Sequence, residues 1–250
     1  MSGKLTGKIA IVTGGLSGIG AAIAARMVAE GATVIAADLA TDATTLADGA
    51  LQPFRADVAD AASIAALINA VTARYSKLDC VVNSAGIGKD IPFLDTSLET
   101  FDRMIAVNLR GSFIIGQAAA QAMRKTGGGV IVNIASVSGM TGNVGRSAYG
   151  ASKGGVVLLS RVMAVDLAEF SIRVNVLAPG PVETPMVAQM HSTEIRQRWI
   201  EQTPLRRYAR PDEMAGAVVF LCSDDASYIT GHVLAADGGF LASGLTTAMA

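Results

Sequence analysis

The chain has 250 residues, 51% of them hydrophobic and 16% charged, with 20 basic and 21 acidic side chains for a net charge of -1. A charged fraction well below the roughly 25% of ordinary globular chains implies extensive burial or a large subunit contact, not disorder. The near-zero balance leaves no surplus to hold a nucleic-acid backbone or an anionic membrane. The longest uninterrupted apolar stretch, 217–222, falls far short of the roughly 18 residues of a bilayer span. No apolar segment resembling a secretory leader precedes Thr13, so the cytoplasm is the expected compartment. Cys80 and Cys222 stand in apolar surroundings; two buried thiols are expected rather than a disulfide or a metal pair.

In chain order, seven short runs are near-continuously apolar, as strands covered on both faces must be: 8–13, 32–38, 51–57, 78–83, 130–135, 172–178 and 232–237. Helical periods separate them. Ile19, Ile23 and Met27, spaced by four, put one apolar stripe toward a sheet, and long helices are expected over 97–125 and 148–170. The alternation reads as an α/β fold, a doubly wound parallel seven-stranded sheet (Rossmann fold) with helices on both faces. No linker, charge run or repeat divides the chain, so 1–250 reads as one domain, with a substrate-lid segment at about 187–205. The residues after Phe240 read as a tail or a subunit contact.

The run TGGLSGIG at 13–20 follows the first strand and opens a helix near Gly18. Glycines there permit a tight turn and close backbone approach to a pyrophosphate, and a helix N-terminus supplies free N–H groups and positive dipole. Asp38 ends the second strand about 20 residues further on, where a carboxylate accepts from ribose hydroxyls and repels a 2′-phosphate. With no arginine or lysine in 14–20 or directly after Asp38, this favours NAD over NADP. Asp57 and Val58 end the third strand, where an adenine edge could lie; helix capping by Asp57 or Asp60 is the competing reading.

Tyr149 and Lys153 stand four apart at the start of an amphipathic helix, on one face, where an ammonium favours a phenolate. Ser136 ends the fifth strand, at the edge where open α/β sheets place ligands. Together with NSAG at 83–86, Asn108, YGASK at 149–153 and PGPVETPM at 179–186, these residues resemble the short-chain dehydrogenase/reductase family over nearly the whole chain. The resemblance implies that Tyr149 is the general acid/base and that Lys153 binds the nicotinamide ribose and lowers the tyrosine pKa. It further implies that Ser136 binds the substrate oxygen and that Asn108 holds a water in a proton relay to Lys153. A polar interruption of a long helix is the other reading of Asn108.

The cofactor-binding set so implied comprises Gly14, Leu16, Ser17, Gly18, Ile19 and Gly20 in the turn, and Asp38, Leu39, Asp57 and Val58 toward the adenosine. Asn83, Ala85 and Gly86 follow the fourth strand. Tyr149, Lys153, Pro179, Gly180, Val182, Thr184 and Met186 lie toward the nicotinamide. No metal is implied. Ser84 departs from the family's usual second asparagine, a small polar swap that should leave cofactor binding intact.

Substrate would be walled by 87–93, 137–146 and 187–205. Met186, Met190 and Trp199 read as an adaptable lid or as ordinary packing, and His191, Glu194, Arg196 and Arg198 as a solvated face. Arg146 reads as an anchor for an anionic substrate or as a residue that holds its loop by hydrogen bonds. The leading expectation is an NAD-linked dehydrogenase of a polyol, sugar or other small secondary alcohol. The segment GNVGRSAYGASK also resembles 3-oxoacyl-carrier-protein reductases, so a ketoreductase using NADPH is the alternative. A catalytically silent nucleotide-binding scaffold is disfavoured because Tyr149, Lys153 and the glycines are all present. A homotetramer is implied by the resemblance alone.

Overall fold

The structure, a computed structural model, describes residues 3–244. The expected tail after Phe240 therefore lies largely outside the described residues. Seven parallel strands, β1 (Ile9–Thr13), β2 (Thr33–Asp38), β3 (Leu51–Arg55), β4 (Cys80–Asn83), β5 (Gly129–Ile134), β6 (Ile172–Pro179) and β7 (Val233–Ala236), form one sheet in the order β3-β2-β1-β4-β5-β6-β7. Each expected strand is present within about two residues of its ends. Pro53 sits in β3 without penalty because β3 is an edge strand, where a missing N–H breaks no ladder.

Alternate strand residues serve opposite faces. Val12, Val82 and Val132 pack against Ile23 and Met27 of α1 (Gly18–Ala29) and Val218 and Leu221 of α8 (Pro211–Cys222). Ile11, Ile35, Val81 and Ile131 face Ile64 and Leu67 of α2 (Ala61–Tyr75) and Ile115 and Met123 of α4 (Gly111–Met123). α5 (Ser147–Asp166) covers the same face further along. The stripe expected in the first helix is borne out: Ile23 and Met27 are fully buried and Ile19 packs at the rim. Cys80 and Cys222, remote in sequence, meet in the first core as free, buried thiols.

The helix expected over 97–125 is present without a break from 98 to 123, stopping two residues short and carrying one wider turn. It comprises α3 (Leu98–Met104), a π turn over Ile105–Arg110, and α4. The wider turn carries Asn108 fully buried, and the Asn108 carbonyl accepts from Ser112 Oγ at 2.7 Å. α5 also stops short of the expected 170, because 168–170 tighten into a 3₁₀ turn closed by Ser171 at φ 58°.

A polar chain crosses the second core. Asn83 Nδ2 donates to Asn133 Oδ1 at 2.6 Å, Asn133 Nδ2 to Ser160 Oγ at 2.8 Å, and Ser160 Oγ to the Val156 carbonyl at 2.7 Å. It ties β4 and β5 to α5, with Asn83 and Asn133 in register. Replacing Asn133 by Ala strands buried donors and acceptors, each costing about 1–3 kcal/mol. Urea denaturation should show a midpoint lowered accordingly.

Candidate active site

The strand ends Thr13, Asn83, Ile134 and Pro179 open on one edge of the sheet, where the order reverses between β1 and β4. Chain leaving adjacent parallel strands in opposite directions creates a crevice there. A cleft of about 210 Å³ fills it. Of the expected residues, Gly14, Ser17, Gly18, Ile19, Gly20, Ala85, Gly86, Ser136, Tyr149, Lys153, Pro179, Gly180, Val182, Thr184 and Met186 line it.

The glycines are used sterically. Gly14 has φ 63°, and a β-carbon there would stand 2.9 Å from Ala85 Cα; on Gly20 it would stand 2.0 Å from the Gly14 carbonyl oxygen. Ser17 is the N-cap of α1, and its hydroxyl makes no capping bond, so the helix start faces the cleft with its N–H groups unsheathed. Thr13 Oγ1 accepts from the Ser84 and Ala85 amides at 3.1 Å each, which shapes the exit of β4. This cradle of bare backbone and helix dipole fits a pyrophosphate.

Leu16, Asp38 and Leu39 lie outside the lining; Asp38 Oδ2 accepts from the Leu16 amide at 3.1 Å and Oδ1 from the Ala40 amide at 3.0 Å, fixing the carboxylate beside the glycine turn. Leu39 is exposed. A cation not evident from the local sequence lies here. Arg55 ends β3 in register with Asp38, and its Nη1 donates to the carbonyls of Leu39 and Thr41 at 3.0 and 3.2 Å. Both residues being last in neighbouring strands was the available signal. Asp57, Val58 and Asn83 do not line the cleft. Asp57 Oδ1 closes a local turn on the Ala59 amide at 2.8 Å, Asp60 caps α2, Val58 packs against Gly111, and Asn83 serves the polar chain.

Tyr149 and Lys153 occupy successive turns of α5, Lys153 buried and Tyr149 half-buried in the cleft wall. Lys153 Nζ donates to the Ile134 carbonyl at 2.8 Å, and burial lowers its pKa to about 8. Burial also pushes the Tyr149 phenol above its ordinary range, opposed by the nearby Arg146 guanidinium and by a hydrogen bond with Ser136. Two cations lie over the phenol ring: the Arg146 guanidinium carbon is 5.1 Å from the ring centroid and Lys153 Nζ 5.9 Å.

Asn108 lies just outside the lining. Its Oδ1 accepts from the Ile87 amide and its Nδ2 donates to the Ile87 carbonyl and to Ser152 Oγ, all at 2.9 Å. Asn108 Oδ1 and Lys153 Nζ flank Gly86, within 3.2 and 3.4 Å of where a β-carbon would sit.

A smaller cavity of about 70 Å³ adjoins Tyr149, walled by Ser136, Ser138, Arg146, Met186, Met190, His191 and Trp199. The lid region folds as α6 (Pro185–Met190) and α7 (Thr193–Gln202). The solvated face expected for His191 is not found: the side chain is buried. Its Nε2 accepts from Arg146 Nη2 at 3.1 Å and its Nδ1 donates to Tyr208 Oη at 2.8 Å, a tautomer dictated by the donor-only guanidinium. Arg196 likewise stacks on Tyr208 at 4.5 Å and pairs with Glu183. Arg146 forms an ion pair through Nε with Asp90 Oδ1 at 2.7 Å, joining its loop to the segment after β4.

A parallel sheet with a glycine turn at its switch point is the architecture of dinucleotide-binding proteins, and the Ser-Tyr-Lys group beside the turn is equipped for proton transfer at oxygen. A family model described as "Enoyl-(Acyl carrier protein) reductase" matches residues 14–241. The chain is 41% identical to D-threitol dehydrogenase of Mycolicibacterium smegmatis over 244 residues, 95% of this chain and 94% of that one. It is 39% identical to 3-oxoacyl-[acyl-carrier-protein] reductase FabG of Thermotoga maritima over 246 residues, 95% and 99% of the two chains. The crystal structure of levodione reductase superposes with a TM-score of 0.90 at 36% identity, covering 96% of this chain and all of that one. The chain belongs to the short-chain dehydrogenase/reductase family and is an oxidoreductase acting on CH–OH groups.

Two outcomes follow from this geometry. Gly20→Ala drives a β-carbon into the Gly14 carbonyl, so NADH titration followed by fluorescence should show binding weakened by an order of magnitude or more, with the circular dichroism spectrum retained. Burial and the Arg146 charge both lower the His191 pKa, so the neutral ring favours the folded state. That stabilisation is complete above the unfolded value near pH 6.5 and is lost as pH falls through the folded value. Melting temperature should fall as pH drops below about 7, less steeply in His191→Gln.

Proposed function

We propose that this protein is an NAD-preferring dehydrogenase of small secondary alcohols, most simply a polyol or sugar alcohol, interconverting alcohol and ketone. The observation that carries the reading is Ser136, Tyr149 and Lys153 converging on one cleft wall beside the glycine turn. A nicotinamide dinucleotide bound there would take up or deliver the hydride. The turn from Gly14 to Gly20 would hold its pyrophosphate, Asp38 its adenosine ribose, Lys153 its nicotinamide ribose, and Val182 and Thr184 the carboxamide. Tyr149 exchanges the matching proton with the substrate oxygen, Ser136 donates a hydrogen bond to that oxygen as charge develops, and Asn108 holds a water in the proton relay to Lys153.

Several features support the finer points. The Asp38 carboxylate, immobilised by two amides, would repel a 2′-phosphate. The cavity beside Tyr149 is small and carries Ser138, Arg146 and His191 among its walls, suited to a compact hydroxylated substrate. The relative that acts on threitol is in keeping with this. Exposed Phe113, Leu158, Val162 and Val165 on α4 and α5 would be covered in the homotetramer that we also propose, with the cytoplasm as its compartment. A second reading, a 3-oxoacyl-carrier-protein reductase using NADPH, draws on Arg55 beside Asp38 and on the similarity to FabG.

The test is oxidation of threitol, xylitol, 2,3-butanediol and cyclohexanol with either dinucleotide. NAD should exceed NADP by at least tenfold in kcat/KM, and Asp38→Ala should narrow that ratio; equal or better use of NADP favours the second reading. Tyr149→Phe should abolish turnover while NADH still binds. The raised Tyr149 pKa means that the base form fills only as pH rises, so oxidation should accelerate, and reduction slow, from neutral to alkaline pH.

A further inference from the structure

Resting on the reading of Tyr149 as the acid/base, we propose that Arg146 and Asp90 form a positioning pair of opposed charges that sets the protonation equilibrium of Tyr149. Arg146 is a second cation, beside Lys153, that favours the phenolate, and Asp90 is the anion that limits its effect.

The geometry is specific. The Arg146 guanidinium lies closer to the Tyr149 ring than the Lys153 ammonium does, at 5.1 against 5.9 Å. It is held from two sides, by Asp90 at 2.7 Å and by His191 at 3.1 Å, and its side chain is 9% exposed. The backbone fixes the same spacing, because Ile91 donates to the Gly145 carbonyl at 2.9 Å in a parallel bridge one residue from each partner. Arg146 is also the N-cap of α5, one turn before Tyr149, so the helix carries cation and phenol as one rigid unit.

The charged and titratable groups that face the phenol are Lys153 and Arg146 on α5, Asp90 in the segment after β4, and His191 at the end of α6; Ser136, after β5, hydrogen-bonds it. His191 is neutral in the tautomer that accepts from Arg146. Lys153, with a pKa of about 8, loses its charge as pH rises into the range where alcohol oxidation is favoured. A guanidinium does not. Arg146 therefore remains a cation beside Tyr149 after the lysine has discharged. The direction of each partner's influence on the phenol agrees, Arg146 lowering its pKa and Asp90 raising it.

The test is the pH profile of kcat/KM for threitol oxidation, or for the best alcohol of the panel above, in Arg146→Gln, Arg146→Lys and Asp90→Asn, each normalised to its own alkaline plateau. Arg146→Gln should move the acid limb to higher pH, a loss of roughly threefold or more at a fixed pH on that limb, equivalent to about half a pH unit. Asp90→Asn should move it to lower pH. Arg146→Lys should lie closer to the parent enzyme than Arg146→Gln does.

A merely structural pair gives changes of the same sign, since either substitution breaks the same contact. Limbs that coincide with the parent profile, or that shift together in one direction, overturn the proposal. If Arg146→Gln fails to fold, the direction of the Asp90→Asn limb decides alone. Failure of the underlying reading looks different, because Tyr149→Phe would then keep its turnover.

Discussion

A buried ammonium is expensive unless something holds it, and the active edge of this molecule is organised around one. Lys153 reaches from the second turn of α5 to the Ile134 carbonyl at the end of β5, across 2.8 Å. Taking that charge out of water disfavours it by several kcal/mol, offset only in part by one good acceptor, and the lowered pKa is the residue of that imbalance. The contact also fixes the angle at which α5 meets the sheet. Tyr149, one turn earlier, is thereby aimed at Ser136, which leaves the same strand.

Around this contact the fold supplies two kinds of support. Backbone supplies the first: the glycine turn and the amides ordered by Thr13 make a surface of N–H groups with no side chain in the way. Buried amides supply the second. Asn108 clasps Ile87 through both of its polar atoms, and the Asn83–Asn133–Ser160 chain locks β4 and β5 to α5. Such networks cost most where a member is left unpaired, as Asn83 Oδ1 is among the described residues, and specify a packing through the members that are paired.

Much of this was legible before any coordinates. Strands covered on both faces announce themselves as unbroken β-branched runs, and Tyr149, Lys153 and Ser136 could be placed because each falls at a definite point on such an element. What escaped depends on pairings between distant segments. Arg55 comes to Asp38 only through the register of β3 on β2, and Asp90 reaches Arg146 only through a single bridge between two loops. His191, flanked by polar residues, has the local look of a surface position; Arg146 and Tyr208, from other segments, are what make its burial tolerable. The π turn was invisible because its residues have ordinary helical character, and the usual helical period has no mark for an added residue.

That added residue has an evolutionary corollary. A π turn is a helix carrying one insertion, and losing any one residue from 105–110 would restore the ordinary pitch at little local cost. It would also shift the residues inside the turn, moving Asn108 away from Ile87 and Ser152 while leaving the faces of α3 and α4 in register. Loops around the cleft can lengthen or shorten and merely change what fits. This one helix has a length that counts to the single residue, so surviving insertions and deletions in such chains should avoid it.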